Sequence, residues 1–369
     1  MRLSDLQVNI SENKLVMSWY ADDRHLQLSY TGSDALPGAA DAALASCMLP
    51  AMLLGETLEV DDTFSISSTL RQNLNEFQRI FVSWFDDVQL IDIVIADNQF
   101  RQLPLTSSDA AVFFSGGVDA SYSFFQLEPE IDHLIFCLGL DIQLHELARC
   151  QKALEGANKF AQHYGKNLIV IESNFRTAFN NLSARRCQIV LLITYSLALG
   201  LETLYVPASH DAKELEPFRS HPLTDPLLSN GATKVVHHGM ISRVEKTISI
   251  AQSDQALAFL RVCNASDQFN CGECEKCLRT MATLAVIGKH SASLPPLDNV
   301  AKLRSVKIWT PGKYHMWHDI KHYAQLHRSE PIANAVSKLC RAYEWKQLFK
   351  QVKHQCRLLL DDILPRITK

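Results

Sequence analysis

No run of this 369-residue chain is apolar for long enough to suggest a membrane span. The most apolar stretch, Ile189 to Val206, is broken by Thr194, Tyr195, Ser196 and Glu202. It is predicted to be a buried helix leading into a strand. Met1 to Lys14 lacks the apolar core that an export signal requires, so a cytoplasmic location is expected. That compartment excludes a disulfide framework as the role of the ten cysteines and directs attention to metal. Repeats and low-complexity segments are absent. So is Gly-x-x-x-x-Gly-Lys-Ser/Thr, which excludes a Walker-type phosphate loop; Gly165-Lys166 merely closes a helix.

Neither sign of charge dominates, with 36 Lys/Arg against 40 Asp/Glu, and the net value of -4 suggests no partner by itself. Its distribution is uneven. Residues 301–369 hold 14 Lys/Arg against 5 Asp/Glu, a surplus of 9 positive charges that leaves -13 on the preceding 300 residues. A basic segment on an acidic body can be a solvated helical face or a docking surface for an anion, a nucleic acid or an acidic partner. A protein partner meeting the N-terminal unit or this tail fits the pattern, and nucleic acid is not favoured.

The present residues first give a β-meander, with alternating apolar positions in Leu6–Ile10, Leu15–Tyr20 and Leu26–Tyr30. Helices are predicted over Asp41–Leu58, bent or broken at Pro50, and over Ser67–Phe85, with a strand over Val88–Ala96. From Asp109 the grammar changes. Apolar strands at Ala111–Phe114, His133–Leu138, Leu168–Glu172 and Thr203–Val206 alternate with helices at Ala120–Gln126, His145–Tyr164 and Arg185–Leu199. Strand and helix alternating in this way predict a parallel sheet with helices on both faces, whose ligands bind beyond the carboxyl ends of the strands. Residues 1–107 are expected to form an α+β unit, 108–262 an α/β domain, 263–290 a metal segment and 291–369 a basic helical extension.

Two motifs carry chemistry. Ser115-Gly116-Gly117-Val118-Asp119 lies between a predicted strand and a predicted helix. The glycine pair permits a tight turn and close backbone approach, and the N–H groups opening the helix form an anion cradle. Ser115 and Ser121 offer hydroxyl donors, and Asp119 suits Mg²⁺ better than bare phosphate. Cys263, Cys271, Cys274 and Cys277 form a C-x7-C-x2-C-x2-C pattern whose x2 spacings aim thiolates at one ion. Tetrahedral Zn²⁺ fits them, and an iron–sulfur cluster is the competing occupant. Without an open position such a site is structural. Lys276 and Arg279 would offset part of the thiolate charge.

The glycine loop resembles the Ser-Gly-Gly-x-Asp-Ser fingerprint of the PP-loop (N-type ATP pyrophosphatase) superfamily, with Ala120 where that family has its last serine. Together with the cysteines, Ala111 to Leu284 resembles 7-cyano-7-deazaguanine synthase and its relatives. Ala184-Arg185-Arg186 resembles a Gly-Arg-Asn turn, Ser220 to Pro226 a substrate loop, and Lys246 a Lys-x-x-Ile element. The resemblance implies an adenine-nucleotide alpha-hydrolase-like fold and cleavage of ATP between its α and β phosphates. It implies adenylation of a carboxylate, small or peptide-borne, for amide or nitrile formation, with ATP, Mg²⁺ and Zn²⁺ as cofactors. Ser115, Gly116, Gly117, Val118, Asp119 and Ser121 would hold the nucleotide, with Asp119, Arg185, Arg186 and Lys246 as catalytic groups. His210, Asp211 and Lys213, after the fourth strand, are candidate contacts, as are His221 and Asp225 in the proline-punctuated loop. His237-His238-Gly239 is expected to be a turn. Two other classes stay open: a sulfur-transfer enzyme acting on tRNA, with Cys137 or Cys187 as nucleophile, and a non-catalytic nucleotide-binding subunit.

Overall fold

The computed structural model describes residues 1–103, 107–180, 182, 184–217, 220–263, 265 and 268–367, without the side chains of 184, 185 and 356–367. The chain divides into two compact units, Met1–Met240 and Ile241–Lys369.

The first unit is built on a ten-stranded sheet. Its strands come from β1 (Arg2–Ser11), β2 (Lys14–Ala21), β3 (Arg24–Thr31), β4 (Leu58–Val60), β6 (Ile93–Val94), β8 (Ala110–Phe113), β9 (His133–Leu138), β10 (Asn167–Ser173), β11 (Thr203–Pro207) and β12 (Lys234–His238). A separate two-stranded pair joins β5 (Ile66–Ser67) to β7 (Phe100–Arg101). In the large sheet the order is β12-β11-β8-β9-β10-β3-β2-β1-β4-β6. The five strands from β12 to β10 are mutually parallel. The helices of this unit are α1 (Ala39–Leu54), α2 (Ser68–Trp84), α3 (Val118–Leu127), α4 (Leu147–His163), α5 (Phe175–Ala178) and α6 (Ala184–Leu197).

The parallel strands are apolar on consecutive residues because both faces are covered. Ile135, Ile169 and Ile171 belong to the core shared with α1 and α6, whereas Phe136, Leu168 and Val170 pack with Cys150, Ala153 and Ala157 of α4. The result is an α/β architecture with a large, mostly parallel sheet flanked by helices.

The expected N-terminal unit, 1–107, shares this sheet and core with residues 108–240. Its meander turns through Glu12 and Asn13, both with positive φ, as a two-residue hairpin with right-handed strand twist requires. Strand β3 then pairs antiparallel with β10, from Leu28 opposite Ser173 to Thr31 opposite Val170. Polar side chains reinforce the seam: the Glu172 carboxylate accepts from Lys14 Nζ and Ser29 Oγ, each at 2.8 Å. Helix α1 is buried at fourteen of its sixteen positions, which accounts for its apolar character on every side. It continues through Pro50 to Leu54, unbroken. Only Ile93–Val94 of the expected strand 88–96 is extended and paired, and His237 and His238 close β12 where a turn was expected.

The second unit is helical: α7 (Arg243–Ile250), α8 (Asp254–Ala258), α9 (Glu275–Val286), α10 (Pro311–Leu326) and α11 (Glu330–Ile367). Leu278, Ala282, Leu303, Trp317, Ile320, Val336 and Cys340 form its core. The Trp317 indole N–H donates to Glu275 at 3.0 Å, which satisfies the polar end of the buried ring.

Asp41 is the most consequential buried charge of the first unit. Its carboxylate accepts from the Ser67 backbone N–H at 2.8 Å and from Asn230 Nδ2 at 2.9 Å. Asn230 Oδ1 in turn accepts from the N–H groups of Ala232 and Thr233, so this hub ties α1 to the start of α2 and the approach to β12. Burial pushes the Asp41 carboxyl up from 3.8 to about 6 despite these donors. A raised carboxyl pKa favours folding at low pH: the contribution is complete below pH ~4 and is lost as pH rises through ~6. Its size is roughly 3 kcal/mol, at about 1.4 kcal/mol per pH unit. Asp41→Ala should remove this component from the pH dependence of urea unfolding and lower stability by about 2–3 kcal/mol near pH 5, because two buried donors lose their acceptor.

Candidate functional site

Strand β8 lies at the reversal of strand order. The chain proceeds from β8 to β9 and β10 on one side, then returns to lay β11 and β12 on the other. Adjacent strands whose connections leave in opposite directions open a crevice at their carboxyl ends, the general ligand position of open parallel sheets. The glycine pair follows β8 at that end. Gly116 has φ 76°, a left-handed conformation that glycine adopts without strain, and Gly117 caps α3 in extended conformation. Gly117 N–H donates to Ser115 Oγ at 3.4 Å, and Ser121 N–H to Gly117 O at 2.9 Å as the helix begins. The first turn of α3 presents N–H groups without intrahelical acceptors, and Asp119 lies in that turn, half-buried.

Ala120 and Ser121 are both buried. Ser123 and Tyr122 hold the end of β12: His238 Nδ1 lies 3.0 Å from Ser123 Oγ, and the two rings of Tyr122 and His238 stack at 6.2 Å. Gly239 has φ 82°, and a Cβ there would approach the Tyr122 ring to 3.0 Å.

Four of the other expected site residues, His210, Asp211, His221 and Asp225, lie in the segment between β11 and β12. His210 and Asp211 follow β11 and are half-buried, with Asp211 Oδ1 accepting the Lys213 N–H at 3.0 Å in a local turn. Asp225 is almost fully buried and accepts from Ser220 Oγ at 2.7 Å, His237 Nδ1 at 2.7 Å and the His221 N–H at 3.1 Å. His221 accepts the Leu223 N–H at Nδ1 and meets the Trp84 ring edge-on at 4.9 Å. Burial lowers the His221 pKa, which favours the neutral ring. Asp225 and His221 thus organise their own loop. His237, the partner that fixes Asp225, escaped the sequence reading because a histidine closing an apolar strand reads as the start of a turn. Arg186 engages Asp87 at 2.5 Å and lies over the Phe85 ring at 4.3 Å, so its guanidinium braces α6 against the segment after α2. The Arg185 side chain lies outside the described residues.

Lys246, on α7, is almost wholly buried. In the same unit the ligand atoms of Cys263, Cys271, Cys274 and Cys277 all lie within 4.8 Å of one another. Cys271 Sγ is 3.9 Å from Cys277 Sγ, and Cys274 Sγ is 3.8 Å from Cys263 Sγ. Tetrahedral coordination with Zn–S bonds of about 2.3 Å sets sulfurs roughly 3.8 Å apart. The cluster could therefore bind a metal such as zinc with little movement. A knuckle turn builds it: Gly272 has φ 70°, and the N–H groups of Glu273 and Cys274 donate to Cys271 Sγ at 3.4 and 3.2 Å. Hydrogen bonding from Cys277 pulls the Cys274 thiol down to about 5, while the same contact pushes Cys277 up.

Asn270 pins the cluster, and its residue type alone gave no sign of this. Its Oδ1 accepts from the N–H groups of Val262 and Cys263, and its Nδ2 donates to the carbonyls of Leu260 and Ser293. Arg279 pairs with Glu275 at 3.2 Å within α9.

Elemental analysis of the purified chain should find one zinc per molecule, and a chelator should lower its thermal midpoint. Cys271→Ser should abolish stoichiometric metal. Asn270→Ala should retain the four thiols yet cost about 1–3 kcal/mol in urea unfolding, because it removes the side-chain acceptor of two backbone N–H groups and an amide donor to two carbonyls.

Comparison of the sequence with known protein families, with curated proteins and with solved structures finds no match in any of the three.

Proposed function

We propose that this protein is an ATP-dependent enzyme of the PP-loop class, with the adenine-nucleotide alpha-hydrolase fold, that adenylates a carboxylate substrate with release of pyrophosphate. Ammonia would then displace AMP to give an amide, and a second round of adenylation by ATP would activate the amide oxygen for its loss, giving a nitrile. The observation that carries this reading is the glycine-pair loop at the carboxyl end of β8, beside the reversal of strand order.

Adenylation at the α-phosphorus depends on positioning and on neutralising charge more than on a strong base. Backbone N–H groups in the first turn of α3, at the positive end of its dipole, suit the departing pyrophosphate. Asp119 in the first turn suits Mg²⁺, which when bound would offset the phosphate charge. The four-cysteine cluster suits a structural zinc with no role in the bond-making steps. The acceptor is a carboxylate on a small molecule or a peptide.

Burial weighs against the sulfur-transfer alternative. Apolar surroundings push the Cys187 thiol up to about 12 and Cys137 higher still, so neither would supply thiolate at neutral pH. A nucleotide-binding subunit without catalysis is favoured by Ala120, a buried methyl where the superfamily has a hydroxyl, and by the commitment of Arg186 to Asp87.

The zinc-replete chain, incubated with α-labelled ATP, Mg²⁺ and candidate carboxylates, should yield AMP and pyrophosphate in equal amounts. Asp119→Ala should reduce that yield about 10²-fold or more. ADP as product would refute the PP-loop reading. ATP binding with no cleavage for any carboxylate would favour the non-catalytic one.

A further inference from the structure

Helix α11 leaves the core of the second unit partway along its length. Val336 and Cys340 are buried, the Tyr343 ring stacks on Tyr314 at 5.0 Å, and Glu344 accepts the Tyr314 hydroxyl at 2.6 Å. Beyond this anchor, every residue from Trp345 to Gln355 except Gln347 is exposed. Trp345 is 70% exposed, Phe349 73%, Leu348 50% and Val352 49%. Their spacing of i, i+3, i+4 and i+7 places them on one side of the helix, the arrangement by which helices dock into apolar surfaces.

The same residues belong to a longer register. Ala342, Trp345, Phe349 and Val352 alternate three and four apart, and the sequence continues that spacing through Cys356, Leu359 and Ile363. Three heptads with apolar residues at both seam positions are the signature of a helix that pairs lengthwise with another helix. Trp345, Leu348, Phe349 and Val352 expose this stripe to water, and an exposed apolar stripe of this kind points to a partner.

Charge decides between the candidate partners. Lys346 and Lys353, seven residues apart, occupy the position directly after the seam residues Trp345 and Val352, and Arg341 precedes Ala342 on the opposite flank. If two copies paired in parallel, Arg341 of one would face Lys346 of the other. In an antiparallel pair the lysine flanks would meet each other. Like charges thus oppose self-pairing in either direction. Lys346 Nζ already lies 4.0 Å from the centroid of the Trp309 ring, which is itself 60% exposed and widens the apolar surface beside the seam.

We infer that α11 is a docking helix for another protein, and that the element it receives is an amphipathic helix with acidic residues flanking its apolar stripe. The apolar seam supplies the contact area, and the lysine flank selects acidic partners over a second copy of this chain.

The inference can be tested on the full chain with two labelled synthetic helices. Both carry leucine and isoleucine at the seam positions; one has glutamate and the other lysine at the flanks. Fluorescence anisotropy should show the glutamate peptide binding at least tenfold more tightly. Phe349→Ala should weaken that binding at least tenfold, and the double change Lys346→Glu, Lys353→Glu should invert the preference. All substituted positions are exposed, and circular dichroism should confirm unchanged helicity. Equal binding of the two peptides, or binding of neither, would overturn the inference. So would a dimer of the chain in light scattering that Phe349→Ala dissolves, which would identify a second copy as the occupant. Binding to phosphatidylserine vesicles in place of either peptide would identify a bilayer.

Discussion

A parallel strand buried on both faces has to end where its backbone can find new partners, and in the first unit that constraint falls on β8. Both edges of β8 are paired, with β9 and with β11, and both faces are covered by helices. The chain leaves it through a left-handed glycine into the first turn of α3. The reversal of strand order lies at the same strand, so the place where open parallel sheets generally take their ligands falls at that glycine turn. The loops after β11 and before β12, the Ser123–His238 contact and the buried Asp225–His237 pair all lie toward this end of the sheet. The N-terminal meander serves the same strand indirectly. By pairing β3 with β10 it removes an open sheet edge and continues the core across α1.

The second unit depends on a smaller constraint. A segment with little regular structure has to bring three sulfurs to a common centre with that of Cys277 in the first turn of α9. Gly272 permits the turn, backbone N–H groups hold Cys271, and Asn270 fixes the backbone at Val262 and Cys263. The sulfur spacing matches what zinc would need, so metal binding and folding of this segment are expected to be coupled.

Much of this arrangement is legible in the sequence. The four strands from Ala110 to Pro207 and their intervening helices follow from short apolar runs alternating with helical periodicity. The glycine pair and the cysteine spacing are local signals, and each forms the local structure its spacing predicts. Long-range relations are less legible. Nothing local in Leu26–Tyr30 indicates that this strand joins β10 rather than closing a separate domain, because pairing partners distant in sequence leave no mark on periodicity. Asn270, Asp41 and His237 are single polar residues whose roles depend on which backbone groups surround them. Asp225 and Arg186 illustrate the converse: chemistry-bearing residue types whose charges are taken up by neighbouring protein groups. The solvent exposure of Trp345, Leu348, Phe349 and Val352 was hidden too, since an apolar stripe on a basic helix reads equally well as a face packed on the core.

The central claim is that the loop after β8 is a phosphate cradle. Amide resonances of isotopically labelled protein, followed during titration with inorganic pyrophosphate and Mg²⁺, test it without knowledge of the acceptor. The account predicts saturable shifts concentrated at Gly116, Gly117 and the first turn of α3, with smaller changes after β11. Saturable shifts located elsewhere, with the glycine amides unmoved, would contradict it.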